Sequence, residues 1–258
     1  MQGSGDGMGL LEALGSAVSD SVKGEHSPAV LFSGGLDSSV LALLAKKANP
    51  RTVLYSAGVE GSEDLLHARK YAKLLGMELI EVVLDVDDLK ELFGEAKSVT
   101  GESDFMKIEL GLILLALCIK ARDDGASVLL SGSGAEELFL GYHAHSEKCD
   151  AGEDLDELRR FELAGLREKD IARSEKIAQH CGVGLALPYL DERVVTAALE
   201  IPASENFNGK ENKAVLRAAA RRLGLPEEIC ARPKRAMQYG SGAHSLLLSL
   251  RRSGAIPI

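Results

Sequence analysis

Ser33-Gly34-Gly35-Leu36-Asp37-Ser38-Ser39 gathers glycines, hydroxyls and one carboxylate into a single short string. Gly34 and Gly35 let the backbone turn sharply and bring its amides close to a ligand. The run that follows, Val40-Leu41-Ala42-Leu43-Leu44, is apolar and helix-forming. Free amides at a helix start, beside a glycine turn and the hydroxyls of Ser33, Ser38 and Ser39, form a site for phosphate. Asp37 is out of place against an anion unless a cation bridges the two. Mg²⁺ takes one or two carboxylates plus phosphate oxygens, so Asp37 points to a nucleotide with Mg²⁺. The Gly-Lys-Ser/Thr ending of the Walker-type loop is missing, which separates the string from P-loop kinases and GTPases. The competing reading is a serine-capped helix with no ligand. It leaves Asp37 and the paired glycines without a packing reason.

A second stretch repeats this logic: Ser131-Gly132-Ser133-Gly134-Ala135-Glu136-Glu137-Leu138 follows the apolar Val128-Leu129-Leu130. Two strand-end turns of this kind can face each other across a nucleotide, one holding pyrophosphate and the other supplying a carboxylate to the metal. Taken alone, Glu136-Glu137 also reads as an acidic helix start that suits the macrodipole.

The elements that must position these residues alternate. Leu10 to Val22 has helical apolar spacing, broken by Ser27-Pro28. Val30-Leu31-Phe32, Thr52 to Val59 and Glu78 to Leu84 read as strands. Between the second and third, a helix starts at Ser62-Glu63-Asp64 and runs to Leu75, with Gly76 as its stop. Asp87 to Glu95 reads as a short helix or loop, and Lys107 to Arg122 as a helix buried on most sides. Strand-helix alternation predicts a doubly wound, mainly parallel α/β sheet with helices on both faces. Ligands in such sheets sit outside the carboxyl ends of the strands. Asp150 to Arg173 reads as charged helix with Leu155, Leu158, Phe161, Leu163, Leu166 and Ile171 as its apolar series. Further helices are predicted over 192–199 and 213–223, and no strand is predicted beyond residue 145.

The 258-residue length allows one or two domains. A net charge of -9 disfavours a broad nucleic-acid surface, and 4% aromatic content gives no stacking platform. No apolar run reaches membrane-spanning length, and no basic region followed by an apolar core marks a secretory signal. Cys118, Cys149, Cys181 and Cys230 are dispersed, so neither a zinc ribbon nor a Cys-x-x-Cys pair is present in sequence, and reduced cytoplasmic thiols are expected.

The first string resembles the pyrophosphate loop of the ATP pyrophosphatase superfamily (the HUP-type fold), and the match broadens along the chain. Ser56-Ala57-Gly58-Val59 with Asp64, Ala68-Arg69 and Leu75-Gly76 resembles the second strand and helix of the asparagine synthetase family's synthetase domain. Leu130 to Tyr142 is similar to that family's Leu-Ser-Gly-Glu-Gly-Ala-Asp-Glu-Leu-Phe-Gly-Gly-Tyr motif. Leu187-Pro188-Tyr189-Leu190-Asp191 resembles Val-Pro-Phe-Leu-Asp, and Arg232-Pro233-Lys234 the late Arg-x-Lys. The resemblance covers roughly 28–242. It implies a lead-in over 1–27 and one domain over 28–258, with its sheet in 28–145 and a helical part in 146–258.

The resemblance also implies roles. Ser33, Gly34, Gly35, Ser38 and Ser39 would cradle the pyrophosphate of ATP, and Asp37 and Glu136 would hold Mg²⁺. Leu31, Ala57 and Gly132 would border the adenosine, while Lys234 and Glu137 are the implied catalytic residues. The implied reaction adenylates a carboxylate, by family default aspartate, and passes it to ammonia or an amine. Ser133 departs from the pattern, standing where the family has glutamate, and a hydroxyl cannot act as a carboxylate base. The family's glutaminase domain needs a cysteine after the initiator Met; here Gln2 follows Met1, so that activity is not expected from this chain. The nitrogen is therefore expected as free ammonia, another amine, or from a separate glutaminase subunit. No membrane partner is expected, and a homo-oligomer is compatible. Rival readings are a sibling enzyme that modifies a tRNA base, a sulphur acceptor or another small molecule, and a nucleotide-binding subunit without catalysis.

Overall fold

A computed structural model describes residues 7–207, 211–232 and 240–256. Five parallel strands form one sheet in the order β3-β2-β1-β4-β5. They are β1 (Ala29–Leu31), β2 (Val53–Gly58), β3 (Leu79–Val83), β4 (Val128–Leu130) and β5 (Gly184–Ala186). Ala29 lies opposite Val53 on one side and Leu129 on the other. Successive strand residues serve opposite faces, as the period of two requires. Val30, Leu54 and Leu130 enter one apolar core, whereas Ala29, Tyr55 and Leu129 enter the other.

Each core is closed by its own helices. On the first face lie α1 (Gly7–Val22), α2 (Leu36–Ala48) and α3 (Glu63–Leu75), together with α10 (Glu192–Leu199) and α11 (Ala214–Leu223). On the second lie α4 (Val86–Thr100), α5 (Phe105–Asp123), α9 (Ala172–Cys181) and the closing helix Ala243–Arg252. Burying an aliphatic side chain such as Val30 or Leu54 is worth about 1.5–3 kcal/mol, so the sheet is fixed from both sides. The chain passes from β1 outward through β2 to β3, then returns to add β4 on the other flank of β1. The winding therefore reverses between β1 and β4, and the crevice at their carboxyl ends is where such sheets place ligands. Among the described residues no helix is long and apolar enough to cross a membrane.

Three sequence expectations need correction. The sheet does not end before residue 145: β5 pairs with β4, Leu129 facing Leu185. Gly184-Leu185-Ala186 is too short to alternate and contains a glycine, so its pairing is decided by tertiary contact and not by propensity. The segment read as a short helix or loop is α4, 15 residues long. Its start is a capping box in which Asp85 accepts from the amides of Asp87 and Asp88, and Asp88 accepts from the amide of Asp85. Aspartate stands where such boxes usually carry Glu or Gln, which hid the signal. Phe161 of α8 (Leu155–Leu166) is 70% exposed and does not join the apolar series assigned to it. In addition, Cys118 of α5 and Cys181 of α9, dispersed in sequence, are both buried in the second core as free thiols.

After β4 come the short helix α6 (Ala135–Leu138) and α7 (His143–Asp150). Between them Leu140 holds a left-handed backbone, φ 53°, and is fully buried against Leu155 and Ala203. A branched residue rarely adopts this conformation, and the resembled motif has glycine there. Leu140→Ala is expected to cost about 2–5 kcal/mol through the lost burial, with the backbone strain retained. Leu140→Gly loses the same side chain but relieves the strain, so its denaturant midpoint is expected above that of Leu140→Ala. The reverse order would show that the left-handed turn carries no penalty.

Candidate active site

The first turn leaves β1 where the amide of Phe32 donates to the carbonyl of Tyr55 at 2.7 Å. Gly34 is left-handed, φ 67°, and a Cβ there would lie 3.0 Å from the backbone of His67 and from Tyr71. Only glycine lets the turn rest directly on α3. Gly35 then caps α2 without a side-chain acceptor, so the first-turn amides of this 13-residue helix are not taken up by a cap. Ser38 Oγ donates to the Gly35 carbonyl at 3.2 Å, and Ser33 Oγ accepts from the Gly35 amide at 3.3 Å. Ser39 Oγ is buried and has no hydrogen-bond partner among the described residues. These are the features that a phosphate cradle needs.

The second turn touches the first. The amide of Ser131 donates to the carbonyl of Ala186, which ties β4 to β5 at their ends. A Cβ on Gly132 would sit 3.3 Å from Cβ of Asp37. The hydroxyl of the fully buried Tyr189 donates to the carbonyl of Asp37 at 3.0 Å, which fixes the backbone that carries this carboxylate. Burial, with Asp37 and Glu136 nearby, pushes that phenol well above its ordinary pKa, so it remains a donor.

Asp37 and Glu136 converge on Lys213. Its Nζ lies 2.8 and 2.7 Å from the two carboxylate oxygens of Asp37 and 2.9 Å from Oε1 of Glu136. Lys213 is 4% exposed. Burial pulls its pKa down, but the charges of Asp37 and Glu136 outweigh burial and raise it, so the ammonium stays charged. The lysine is the N-terminal cap of α11 and has φ 57°. Gly141 completes the cluster: a Cβ there would fall 1.9 Å from Oε2 of Glu136 and 2.0 Å from Cε of Lys213.

The sequence reading placed Lys213 only as the start of a helix. A signal was nevertheless present, because a cation at a helix N-terminus opposes the macrodipole, and such local mismatches gather at functional sites.

The structure thus brings Ser33, Gly34, Gly35, Asp37, Ser38, Ser39, Gly132 and Glu136 to one crevice. Leu31 ends β1, and Ala57 lies in the last turn of pleat in β2, before Gly58. Gly58 packs under Ser241, whose carbonyl accepts from the amide of Val59 at 2.8 Å. Glu137 does not share Lys213. It is 8% exposed and accepts the hydroxyl of Tyr142 on Oε1 at 2.7 Å. Burial and then the charge of Glu137 push the Tyr142 phenol far above its ordinary value. Ser133 Oγ lies 2.8 Å from Ser131 Oγ.

Lys234 lies outside the described residues. Arg232, nearby in sequence, donates from Nη1 to the carbonyl of Ser33 at 3.1 Å and pairs with Asp64 at 3.7 Å. Arg217 of α11 donates to the carbonyls of Asn212, Cys230 and Arg232, so the segments on either side of it are tied to the first turn.

The donor set fits a divalent cation that arrives with a nucleotide. Two hard carboxylates already share one buried positive charge, with the Lys213 ammonium standing in for the cation. Among the described residues no group of three His, Cys, Asp or Glu side chains could hold a metal by itself. The remaining ligands would therefore come from phosphate and water, which is the habit of Mg²⁺.

The chain matches the family described as asparagine synthase over residues 9–152 and 146–253. It is 32% identical to a putative glutamine-hydrolyzing asparagine synthetase of Methanocaldococcus jannaschii, over 94% of this chain and 51% of the relative. With the glutamine-hydrolyzing asparagine synthetase of Homo sapiens it shares 33% identity over 81% of this chain and 39% of the relative. The chain therefore spans about half, or less, of the length of these curated relatives. Among solved structures, an NH3-dependent NAD synthetase from Campylobacter jejuni in complex with the nitrate ion aligns with a TM-score of 0.49. It has 15% identity over 96% of this chain and 88% of that one.

Proposed function

Since the chain belongs to the asparagine synthase family, we propose that it is an ATP-dependent amide synthetase. It activates a carboxylate as the acyl-adenylate, releases pyrophosphate, and passes the acyl group to ammonia or an amine with release of AMP. Aspartate is the family's default acid. The observation that carries this reading is the meeting of Asp37 and Glu136, from the ends of two adjacent strands, beside an uncapped helix start.

Each residue then has a task. The amides after Gly35 and the hydroxyls of Ser33, Ser38 and Ser39 bind the β- and γ-phosphates. Lys213 offsets the charge of the departing pyrophosphate, preorganised electrostatic help of the kind worth several kcal/mol. Lys234 is proposed for the same work on the phosphates or the acyl-adenylate. Asp37 and Glu136 would hold Mg²⁺, which supplies Lewis-acid polarisation of the phosphoryl oxygens when bound. Leu31, Ala57 and Gly132 border the adenosine. Glu137, held by Tyr142, is proposed to position the acid or the amine. The nitrogen is proposed to arrive as free ammonia, as an amine, or from a separate glutaminase subunit, in a cytoplasmic setting.

Ser133 favours a second reading, in which the acid is not aspartate. Its hydroxyl is paired with Ser131 and offers no carboxylate at the position where the resembled motif has one. Product analysis separates the two readings. With ATP, Mg²⁺, aspartate and ammonium, the first expects AMP and asparagine in equal amounts. The second expects AMP only when another acid replaces aspartate, and expects Ser133→Glu to shift preference towards aspartate. Formation of ADP in place of AMP would contradict both.

A further inference from the structure

We propose that Lys213 is a resident counter-cation, which holds the Asp37 and Glu136 carboxylates as a pair until a divalent cation arrives with its nucleotide and displaces the ammonium. This rests on the reading of the crevice as a nucleotide–metal site, and it adds a rule for when the metal binds.

Three observations support it. First, the contacts are saturating in kind: one ammonium nitrogen meets both oxygens of Asp37 and one of Glu136, all at 2.7–2.9 Å. A lysine has three donors, and all three have acceptors here. Second, the lysine sits there against local preference. It is left-handed at φ 57°, and it places a positive charge at the start of α11. Residues held in sparsely populated backbone states concentrate at switches and ligand clamps. Third, the surroundings are shaped around this contact. Gly141 supplies the space that Cε of Lys213 and the carboxylate of Glu136 fill, and Arg217 holds the carbonyl of Asn212, immediately before the lysine.

The charges set the direction of exchange. A divalent cation brings twice the charge of the ammonium it would replace between the Asp37 and Glu136 carboxylates. Alone, the cation must displace a buried ammonium from three short contacts. Together with a polyphosphate, the ammonium gains anionic oxygens in exchange for those it gives up. Metal binding without nucleotide is therefore suppressed, and the carboxylates do not drift apart while the site waits.

The probe is Mn²⁺ alone, titrated without nucleotide into the full chain and followed by the loss of its free electron paramagnetic resonance signal. Lys213→Met is expected to bind Mn²⁺ at least about tenfold more tightly than wild type. Lys213→Arg, which keeps the charge, is expected to bind no better than wild type. Adding Asp37→Asn to Lys213→Met is expected to abolish the gain. Lys213→Gln provides the same reading if the methionine variant does not fold without metal, and folding induced by Mn²⁺ counts in the same direction. Equal binding by wild type and the uncharged variants would overturn the proposal, as would a gain that survives Asp37→Asn. The titration needs no substrate and no turnover, so failure to detect amide synthesis would strike the proposed function and leave this test intact.

Discussion

Asp37→Ala is expected to lower acid-dependent pyrophosphate release by about 10³-fold or more, the larger end of what losing one preorganised electrostatic group costs. Two effects add. The phosphate turn loses the carboxylate proposed for the metal, and Lys213 loses the partner that contacts it through both oxygens. Lys213 is buried, so it cannot exchange that partner for bulk water. Removing one member of a buried ion pair typically costs about 3–5 kcal/mol, and the denaturant midpoint should fall accordingly. Measuring both quantities matters, because a variant that loses release with no loss of stability would place Asp37 outside the buried cluster. Asp37→Asn keeps the shape and separates charge from volume. It should retain more stability than Asp37→Ala while losing nearly as much release.

The second large effect belongs to a methyl group. Gly141→Ala places a Cβ where Glu136 Oε2 and Lys213 Cε already lie, at 1.9 and 2.0 Å. Moving Lys213 aside breaks its contacts with Asp37, and moving Glu136 aside breaks its pair with Lys213. Overpacking of this kind costs about 1–3 kcal/mol in stability. The functional loss should be larger, about 10²-fold or more in pyrophosphate release, since the displaced groups are those proposed to hold the metal and the phosphates. Gly94→Ala is the matched comparison: it lies inside α4, and a Cβ there meets nothing within 4 Å. That variant should gain about 0.5–1 kcal/mol from the lower entropy of the unfolded chain, with unchanged release. Similar behaviour of the two variants would mean that the crowding around Gly141 is not functional.

Much of this site was legible in the sequence because its chemistry is local. Gly34-Gly35 before Asp37 and Gly132-Ser133-Gly134 before Glu136 are contiguous strings, and each announces a strand end, a tight turn and a carboxylate. Their convergence also followed from the strand-helix alternation, since a doubly wound sheet brings such ends to one edge. Lys213 was hidden for the opposite reason. It joins the cluster from a segment 176 residues away from Asp37, and its one local signal, a cation at a helix start, does not say which residues it meets. β5 escaped notice because three residues with a glycine carry no periodicity, so only the edge of β4 makes them a strand. The length of α4 was understated because its capping box uses two aspartates. Only the resemblance separated the role of Glu137 from that of Glu136; in the structure neighbouring helical positions face different ways, and Glu137 accepts from Tyr142.

The most direct test of the proposed chemistry is the acid-dependent exchange of labelled pyrophosphate into ATP, since only reversible adenylation of a carboxylate returns label to the nucleotide. Purified protein with ATP, Mg²⁺ and a panel of acids that includes aspartate should exchange label with at least one acid, without ammonia, and Asp37→Ala should not. A folded wild-type chain that binds ATP but exchanges no label with any acid would contradict the assignment of this crevice to acyl-adenylate formation.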